Sequence, residues 1–238
     1  MVRPKRIDER VDLPKNKDGK SKKKKDSSKP PENNRQAERI FDALWDINPV
    51  LSLCSQMQAV TGLRYSDASW LKYSDFINDD GSYKDCVDVI QQKVFNMIMY
   101  SKKTPVAEAV RKSTVRVFVN DSVKEIVAEC QQINANSEYL FANKKSVYLD
   151  GDNVKQDRPM SVQSASEHHA TVQKKLRLNY ELGTHSWRAF FAMSLLNKGA
   201  EVLDVRDMLG HLSITSTNSY LHTFSDRLNK LAQKINLG

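Results

Sequence analysis

The chain has 238 residues, 39% of them apolar and 28% charged, which is the composition of an ordinary globular protein with room for one sizeable domain or two small ones. Its net charge of +8 is uneven: residues 1–35 carry 13 Lys and Arg against 6 Asp and Glu, whereas residues 36–238 carry 24 against 23. A globally basic surface is therefore excluded for the foldable part, and any contact with nucleic acid must come from a local cluster of cations. No apolar run approaches the roughly 18 residues that span a bilayer, and the N-terminus lacks the apolar core of a signal peptide. Cys54, Cys86 and Cys130 lie far apart, without metal-ligand spacing, in apolar stretches, and read as reduced core residues of a cytoplasmic protein.

Residues 1–35 hold almost nothing that could pack. Lys20-Ser21-Lys22-Lys23-Lys24-Lys25 followed by Pro30-Pro31 reads as a disordered, self-repelling basic tail, either a linker or an arm that tracks phosphates. Order is expected near Gln36, where Ile40, Phe41, Leu44 and Trp45 fall at helical spacing. Asn48 caps a second helix with Pro49 at its first position, and Gly62 marks its end. A short helix over Asp67–Leu71 follows, with Ser66 as its cap. Val87 and Val89, then Met97 to Tyr100, suggest strands, and Thr114 to Val119 alternates with period two. Thr104-Pro105 through Lys112 reads as an inserted helix with a capping threonine. Beyond Asp121 the pattern is helical again, with a stripe of Val123, Ile126, Val127, Cys130 and Ile133, helices over 161–178, 185–198 and 201–209, and a last one over 225–237 carrying Leu228, Leu231 and Ile235. Residues 143–160 read as a loop. The expected fold is mainly α-helical with one small antiparallel β-sheet, an α+β domain over residues 36–238.

Three distant segments concentrate polar residues where the surrounding pattern predicts burial. They are Thr61-Gly62-Leu63-Arg64-Tyr65-Ser66-Asp67, then Thr184-His185-Ser186-Trp187-Arg188, then Leu209-Gly210-His211 with Tyr220 nine residues on and His222 just after it. Taken singly, each has an ordinary reading: Arg64 as an ion-pair partner of Asp67, His185 as a helix-start residue, Tyr220 as core.

Together the segments resemble the catalytic domain of tyrosine recombinases, the phage-integrase family, over residues 36–238. The resemblance matches Arg64 and Asp67 to the family's Thr-Gly-Leu-Arg turn and the acidic residue three positions later. It matches His185 and Arg188 to a His-x-x-Arg pair, His211 to the end of a Leu-Gly-His segment, and Tyr220 to the nucleophilic tyrosine. It implies site-specific cleavage and rejoining of double-stranded DNA through a 3′-phosphotyrosyl bond, by integration, excision or inversion of mobile DNA in a bacterium or phage, on a homotetramer. The alternatives are a DNA-binding module that keeps the fold without catalysis, or a chemically related type IB topoisomerase or telomere resolvase.

The chemistry explains the residue types. Two guanidiniums, Arg64 and Arg188, can grip the non-bridging oxygens of a phosphate in bidentate geometry as negative charge grows on them. A phenol with a pKa of about 10 needs a base, and the resemblance assigns His185, with His211 donating to the phosphate. No cofactor or metal is expected, since the arginines supply the positive charge and no carboxylate cluster suits two-metal catalysis. The resemblance also requires a lysine general acid in the sheet hairpin. Lys93, following the Val89-Ile90-Gln91-Gln92 segment, is favoured over Lys103 of Lys102-Lys103-Thr104, with Lys102 and Lys112 as further candidates. The separate helical domain that precedes most family catalytic domains has no counterpart before Gln36, which fits either a compact recombinase or a chain from which that domain was removed. The His168-His169 pair is read as lying on an exposed helix, and the stripe over 225–237 as closing the chain's own core or docking on a neighbouring protomer.

Overall fold

The computed structural model describes residues 28–102, 104–143, 148–150, 153–155 and 157–221. Helix α1 (Asn34–Trp45) begins two residues ahead of the expected onset and is capped by Asn33, whose side chain accepts from the Gln36 amide. Helix α2 (Pro49–Thr61) begins as the sequence implies: the Asn48 side chain accepts from the Leu51 amide, and Pro49 occupies the first turn. It ends at Gly62 in the left-handed conformation (φ 72°). Two single turns follow, α3 (Tyr65–Ala68) and α4 (Tyr73–Phe76). The first is shorter than the sequence suggests and is entered through Arg64, with Ser66 inside it rather than capping it.

Strand β1 (Cys86–Ile90) pairs antiparallel with β2 (Thr114–Phe118), from Cys86 opposite Phe118 to Ile90 opposite Thr114. Val87, Val115 and Val117 face the core, while Asp88 and Arg116 form a two-pronged ion pair on the outer face at 2.8 and 3.0 Å. The chain between the two strands holds α5 (Gln92–Lys102) and α6 (Val106–Ser113). Met97 to Tyr100 is thus helical, not the expected strand. Val94 and Ile98, one turn apart, are buried against Ala109 of α6, with Phe95 and Met99 packed beside them. A run of apolar residues too short to show its period reads either way, and the α6 partner decides it. Helix α6 begins one residue late, with Pro105 rather than Thr104 in the capping position.

Helix α7 (Asp121–Asn134) is capped by Asn120, and α8 (Val162–Lys175) by Ser161. Between them β3 (Tyr148–Asp150) and β4 (Asn153–Lys155) form a second two-stranded antiparallel sheet inside the region read as a loop. The chain closes with α9 (Thr184–Asn197), α10 (Val202–Leu209) and α11 (Ile214–Leu221); α11 packs on α9 and α10. The expected helix over 225–237 lies outside the described residues.

Helix α2 is the axis of the core. It contacts α1, α3, α7 and α9, and it buries polar as well as apolar side chains. The Ser52 hydroxyl donates to the Phe41 carbonyl (2.8 Å), and Gln58 Nε2 donates to the carbonyls of both Leu63 and Thr184 (3.1 Å each). Gln58 therefore ties together the chain segments that carry Arg64 and Arg188. Trp187, fully buried, stacks on Phe41 of α1 (ring centroids 4.4 Å) and donates its indole N–H to His169 Nε2 of α8 (2.8 Å). His169 Nδ1 faces the Ala165 carbonyl at 2.7 Å, so the ring is neutral with its proton on Nδ1. The expectation of an exposed histidine pair is corrected: His168 is half-exposed, but His169 has no exposed surface.

Burial holds the His169 pKa down to about 4 in the folded chain, against about 6.5 for a free imidazole. The unfolded chain then takes up a proton that the native state refuses between those values. Its contribution to stability is complete above about pH 6.5 and is lost as the pH falls towards 4. Urea unfolding at pH 7.0 and 4.5 should show wild type losing about 2–3 kcal/mol more than His169→Gln, which keeps an acceptor for Trp187 but does not titrate. Equal losses in the two proteins would mean that His169 is protonated in the folded state.

Candidate active site

The site is assembled around one backbone carbonyl. Leu209, the last residue of α10, is fully buried, and its C=O accepts from Arg188 Nη2 (2.7 Å) and from Gln91 Nε2 (2.7 Å). Gln91 Oε1 in turn accepts from Arg64 Nη1. Arg188 Nη1 donates to the carbonyl of Gly62 (2.6 Å), two residues before Arg64. The two guanidiniums, more than a hundred residues apart in sequence, are thereby aimed from a shared frame. Arg188 is 2% exposed and Gln91 is 1% exposed, so both are held by hydrogen bonds that water does not contest.

Two glycines make the frame possible. Gly210 adopts φ 62°, and a Cβ there would lie 2.2 Å from Val115 Cγ1 and 2.6 Å from Gln91 Nε2. Any side chain would drive α10 off the sheet and displace Gln91. At Gly62 (φ 72°) a Cβ would lie 2.4 Å from Phe191 Cδ1. The glycines of Thr-Gly-Leu-Arg and Leu-Gly-His are thus required both by backbone conformation and by close packing.

Asp67 sits below the arginines. Its Oδ1 accepts from the Gln92 amide at the start of α5 (3.2 Å), while its Oδ2 is buried without a hydrogen-bond partner. Burial raises its pKa, and the bond to Gln92 and the charges of Arg64 and Arg188 act in the opposite direction. It lies in the electrostatic field of both Arg64 and Arg188 and also pins the first turn of α5.

His211 follows the Gly210 turn. Its Nδ1 lies 2.9 Å from the hydroxyl of the buried Thr217 on α11, which orients the ring. Desolvation first, then the charges of Arg188 and Arg64, push its pKa down to about 3. His185 lies at the second position of α9, on the exposed rim. Its pKa is lowered by the protein packed around it and by the charges of Arg188, Arg64 and Lys93. Both imidazoles are neutral at pH 7.

The structure thus brings Arg64, Arg188, His185, His211 and Lys93 into one electrostatic neighbourhood. Lys93 is exposed and occupies the second position of α5, not the end of a strand, because β1 stops at Ile90 and Gln91 turns inward. Lys112 pairs with Glu108 along α6. The backbone of Tyr220 belongs to α11, nine residues beyond His211; its side chain lies outside the described residues, as do His222 and Lys103. Gln91, Thr217 and the Leu209 carbonyl belong to the site without any local sequence signal that marks them. Among the described residues no group of three His, Cys, Asp or Glu side chains could hold a metal ion, and no helix is long and apolar enough to cross a membrane.

A family model described as the phage integrase family matches residues 33–227. The chain belongs to the phage integrase family. A tyrosine recombinase XerC of Halalkalibacterium halodurans is 31% identical over 113 residues, covering 47% of this chain and 35% of the relative. A probable integrase/recombinase protein of Methanocaldococcus jannaschii is 26% identical over 163 residues, 68% of this chain and 42% of the relative. The matched regions span well under half the length of these curated relatives. In fold, the chain is similar to the crystal structure of XerA recombinase (TM-score 0.60, 17% identity, 86% of this chain and 65% of that one). It is also similar to a lambda integrase dimer bound to a COC′ core site (TM-score 0.58, 18% identity, 83% and 49%). The mainly helical fold with small antiparallel sheets is that of the tyrosine recombinases.

Shared charge on the two histidines can be read directly. In Arg64→Gln the NMR titrations of His185 and His211 should both move to higher pH than in wild type, because a cation has been removed. His169, shifted chiefly by burial, serves as the control and should not move. An unchanged His211 would place Arg64 outside its field.

Proposed function

We propose that this chain is the catalytic part of a site-specific DNA recombinase that cleaves and rejoins strands through a 3′-phosphotyrosyl intermediate with Tyr220 as nucleophile. The observation that carries the reading is the convergence of Arg188, directly, and Arg64, through Gln91, on the Leu209 carbonyl, with His211 two residues on and α11 packed on α9 and α10. Family membership supports it.

In this mechanism Arg64 and Arg188 bind the non-bridging oxygens of the scissile phosphate and stabilise the charge that develops on them. The Tyr220 oxygen attacks phosphorus while His185, neutral at pH 7, takes the phenolic proton. The bond from phosphorus to the 5′ oxygen breaks, and Lys93 protonates the leaving oxygen. His211, also neutral, donates to the phosphate. Attack by a 5′ hydroxyl on the phosphotyrosine reverses these transfers and reseals DNA, with the bond energy conserved and no nucleotide consumed. The positive charge comes from side chains, so the reaction as proposed uses no metal or cofactor.

Assembly on DNA as a tetramer, in the cytoplasm of a bacterial or phage-infected cell, belongs to the same reading. A cleft of about 790 Å³ lies between α1, α2, α9 and the segment entering α7, and none of its lining residues belongs to the catalytic cluster. Phe41, Val60, Phe190 and Leu195 line it together with the charged Glu38, Arg116, Glu125, Glu129 and Lys198. Residues 225–237 carry Leu228, Leu231 and Ile235 at helical spacing, an apolar stripe suited to the apolar part of this lining. We assign this cleft as the receptor for that segment of a neighbouring protomer. The 1–35 tail, with its excess of seven cations, is assigned to sequence-independent phosphate contacts.

Tyr220→Phe should abolish covalent attachment to a nicked suicide duplex while leaving binding within about twofold, since only one hydroxyl is lost. An adduct surviving in that variant would remove Tyr220 from the mechanism.

The general acid is tested by Lys93→Ala, which should be slow on normal DNA and recover when the bridging 5′ oxygen is replaced by sulfur, because a thiolate leaves without a proton. Recovery of Lys103→Ala in its place would transfer the role to Lys103.

A further inference from the structure

The region between the paired strands β1 and β2 is a helical hairpin with chemistry of its own. Residues 91–113 carry five Lys and Arg (Lys93, Lys102, Lys103, Arg111 and Lys112) against one acid, Glu108. The rest of residues 36–238 carries 19 Lys and Arg against 22 Asp and Glu. The local cationic cluster that a nearly neutral domain would need in order to hold DNA is therefore concentrated in this hairpin.

The hairpin starts at the site. Its base is closed by the Gln91 amide donating to the Ser113 carbonyl (2.9 Å), and the first turn of α5 is pinned by Asp67. Val94 and Ile98 of α5 are buried against Ala109 of α6, which fixes the rotation of α5 about its axis. Gln92, Lys93, Asn96, Met97 and Tyr100 are exposed on the helix away from that contact. Tyr100 is 88% exposed and Met97 50%, side by side on this face. Gln92 Nε2 donates to Asn96 Oδ1 (2.8 Å), which orients the two amides on that face together. Lys93 is near enough to the cluster to depress the titration of His185.

We propose that α5 is a DNA-recognition helix: its Gln92, Asn96, Met97 and Tyr100 face enters the major groove beside the phosphate held by Arg64 and Arg188 and reads base edges there. The placement of the phosphate rests on the recombinase reading; the groove reading adds which surface sets sequence preference. An α-helix with its side chains fits the roughly 12 Å major groove and not the roughly 6 Å minor groove. Eleven residues rising about 1.5 Å each extend about 16 Å, the length of roughly five base pairs, starting from the catalytic cluster. Asn and Gln are the side chains that match the paired donor and acceptor of adenine in that groove, and apolar surface contacts the thymine methyl. Lys93, exposed on the same helix, suits a phosphate, a contact that positions a protein without informing it of sequence.

The test is a selection of duplexes from a randomised pool by the full chain, at one salt concentration, for wild type, Gln92→Ala/Asn96→Ala and Tyr100→Ala. These side chains are exposed, and circular dichroism is the check that the variants fold. Wild type should enrich a defined sequence. The double variant should lose at least tenfold of its discrimination at one or two adjacent base pairs within about five of the cleaved phosphate. Its affinity for the unselected pool should change less than threefold. Retention of the wild-type preference in both variants overturns the proposal, and so does a wild type that enriches nothing. A change of mass by light scattering with unchanged preference also overturns it, assigning the face to a protein contact. Trapping the selected duplexes with suicide nicks separates the two readings. Trapping by wild type with unaltered variants sinks the groove reading alone, whereas altered preference without any trapping sinks the recombinase reading alone.

Discussion

The arrangement of the site depends on the Leu209 carbonyl, which accepts two hydrogen bonds from groups that arrive from different parts of the chain. Arg188 reaches it directly, and Arg64 reaches it through Gln91. Arginine is entropically costly to hold still, and a loose guanidinium would have to be ordered each time a phosphate bound. Here the ordering is done during folding. The helix end that supplies the carbonyl is one that every α-helix leaves unsatisfied, so α10 contributes an acceptor that would otherwise need water or a cap.

Several features unconnected in sequence follow from that constraint. The end of α10 must come close to the sheet, which requires the bare Gly210 opposite Val115. Gln58 must hold the Leu63 and Thr184 carbonyls together, because the two arginines follow those residues by one and four positions. The Phe41–Trp187–His169 contacts fix the next residue after Trp187, which is Arg188. The buried histidine thus has a positional role without touching the cluster, and its neutral state is the condition for the indole bond.

Much of this was legible in the sequence, for identifiable reasons. Asn48-Pro49 and Gly62 state the two ends of α2 locally, and the alternation of Thr114 to Val119 states β2. The glycine-bearing motifs carried the site because their spacing is fixed by the backbone turns they make. Gln91 was not legible as a site residue, since nothing local separates a glutamine ending a strand on the surface from one buried against a helix terminus. Met97 to Tyr100 is ambiguous in sequence because its apolar residues fit a strand as well as a helix, and Ala109, on a separate helix, resolves the difference. The burial of His169 is not visible in sequence because it depends on Trp187 and Ser55, one of them more than a hundred residues away.

The pairing of Ile90 with Thr114 has a further consequence. The chain leaves the sheet and returns to it at neighbouring positions, so whatever lies between has no span to bridge and imposes no tension on the strands. The entropic cost of closing such an excursion rises only slowly with its length, by about 0.6 kcal/mol per doubling. With its own small core at Val94, Ile98 and Ala109, the α5–α6 hairpin packs on itself above a closed base. A change in its length is therefore absorbed within the hairpin, and the frame around Leu209 does not have to shift to accommodate it.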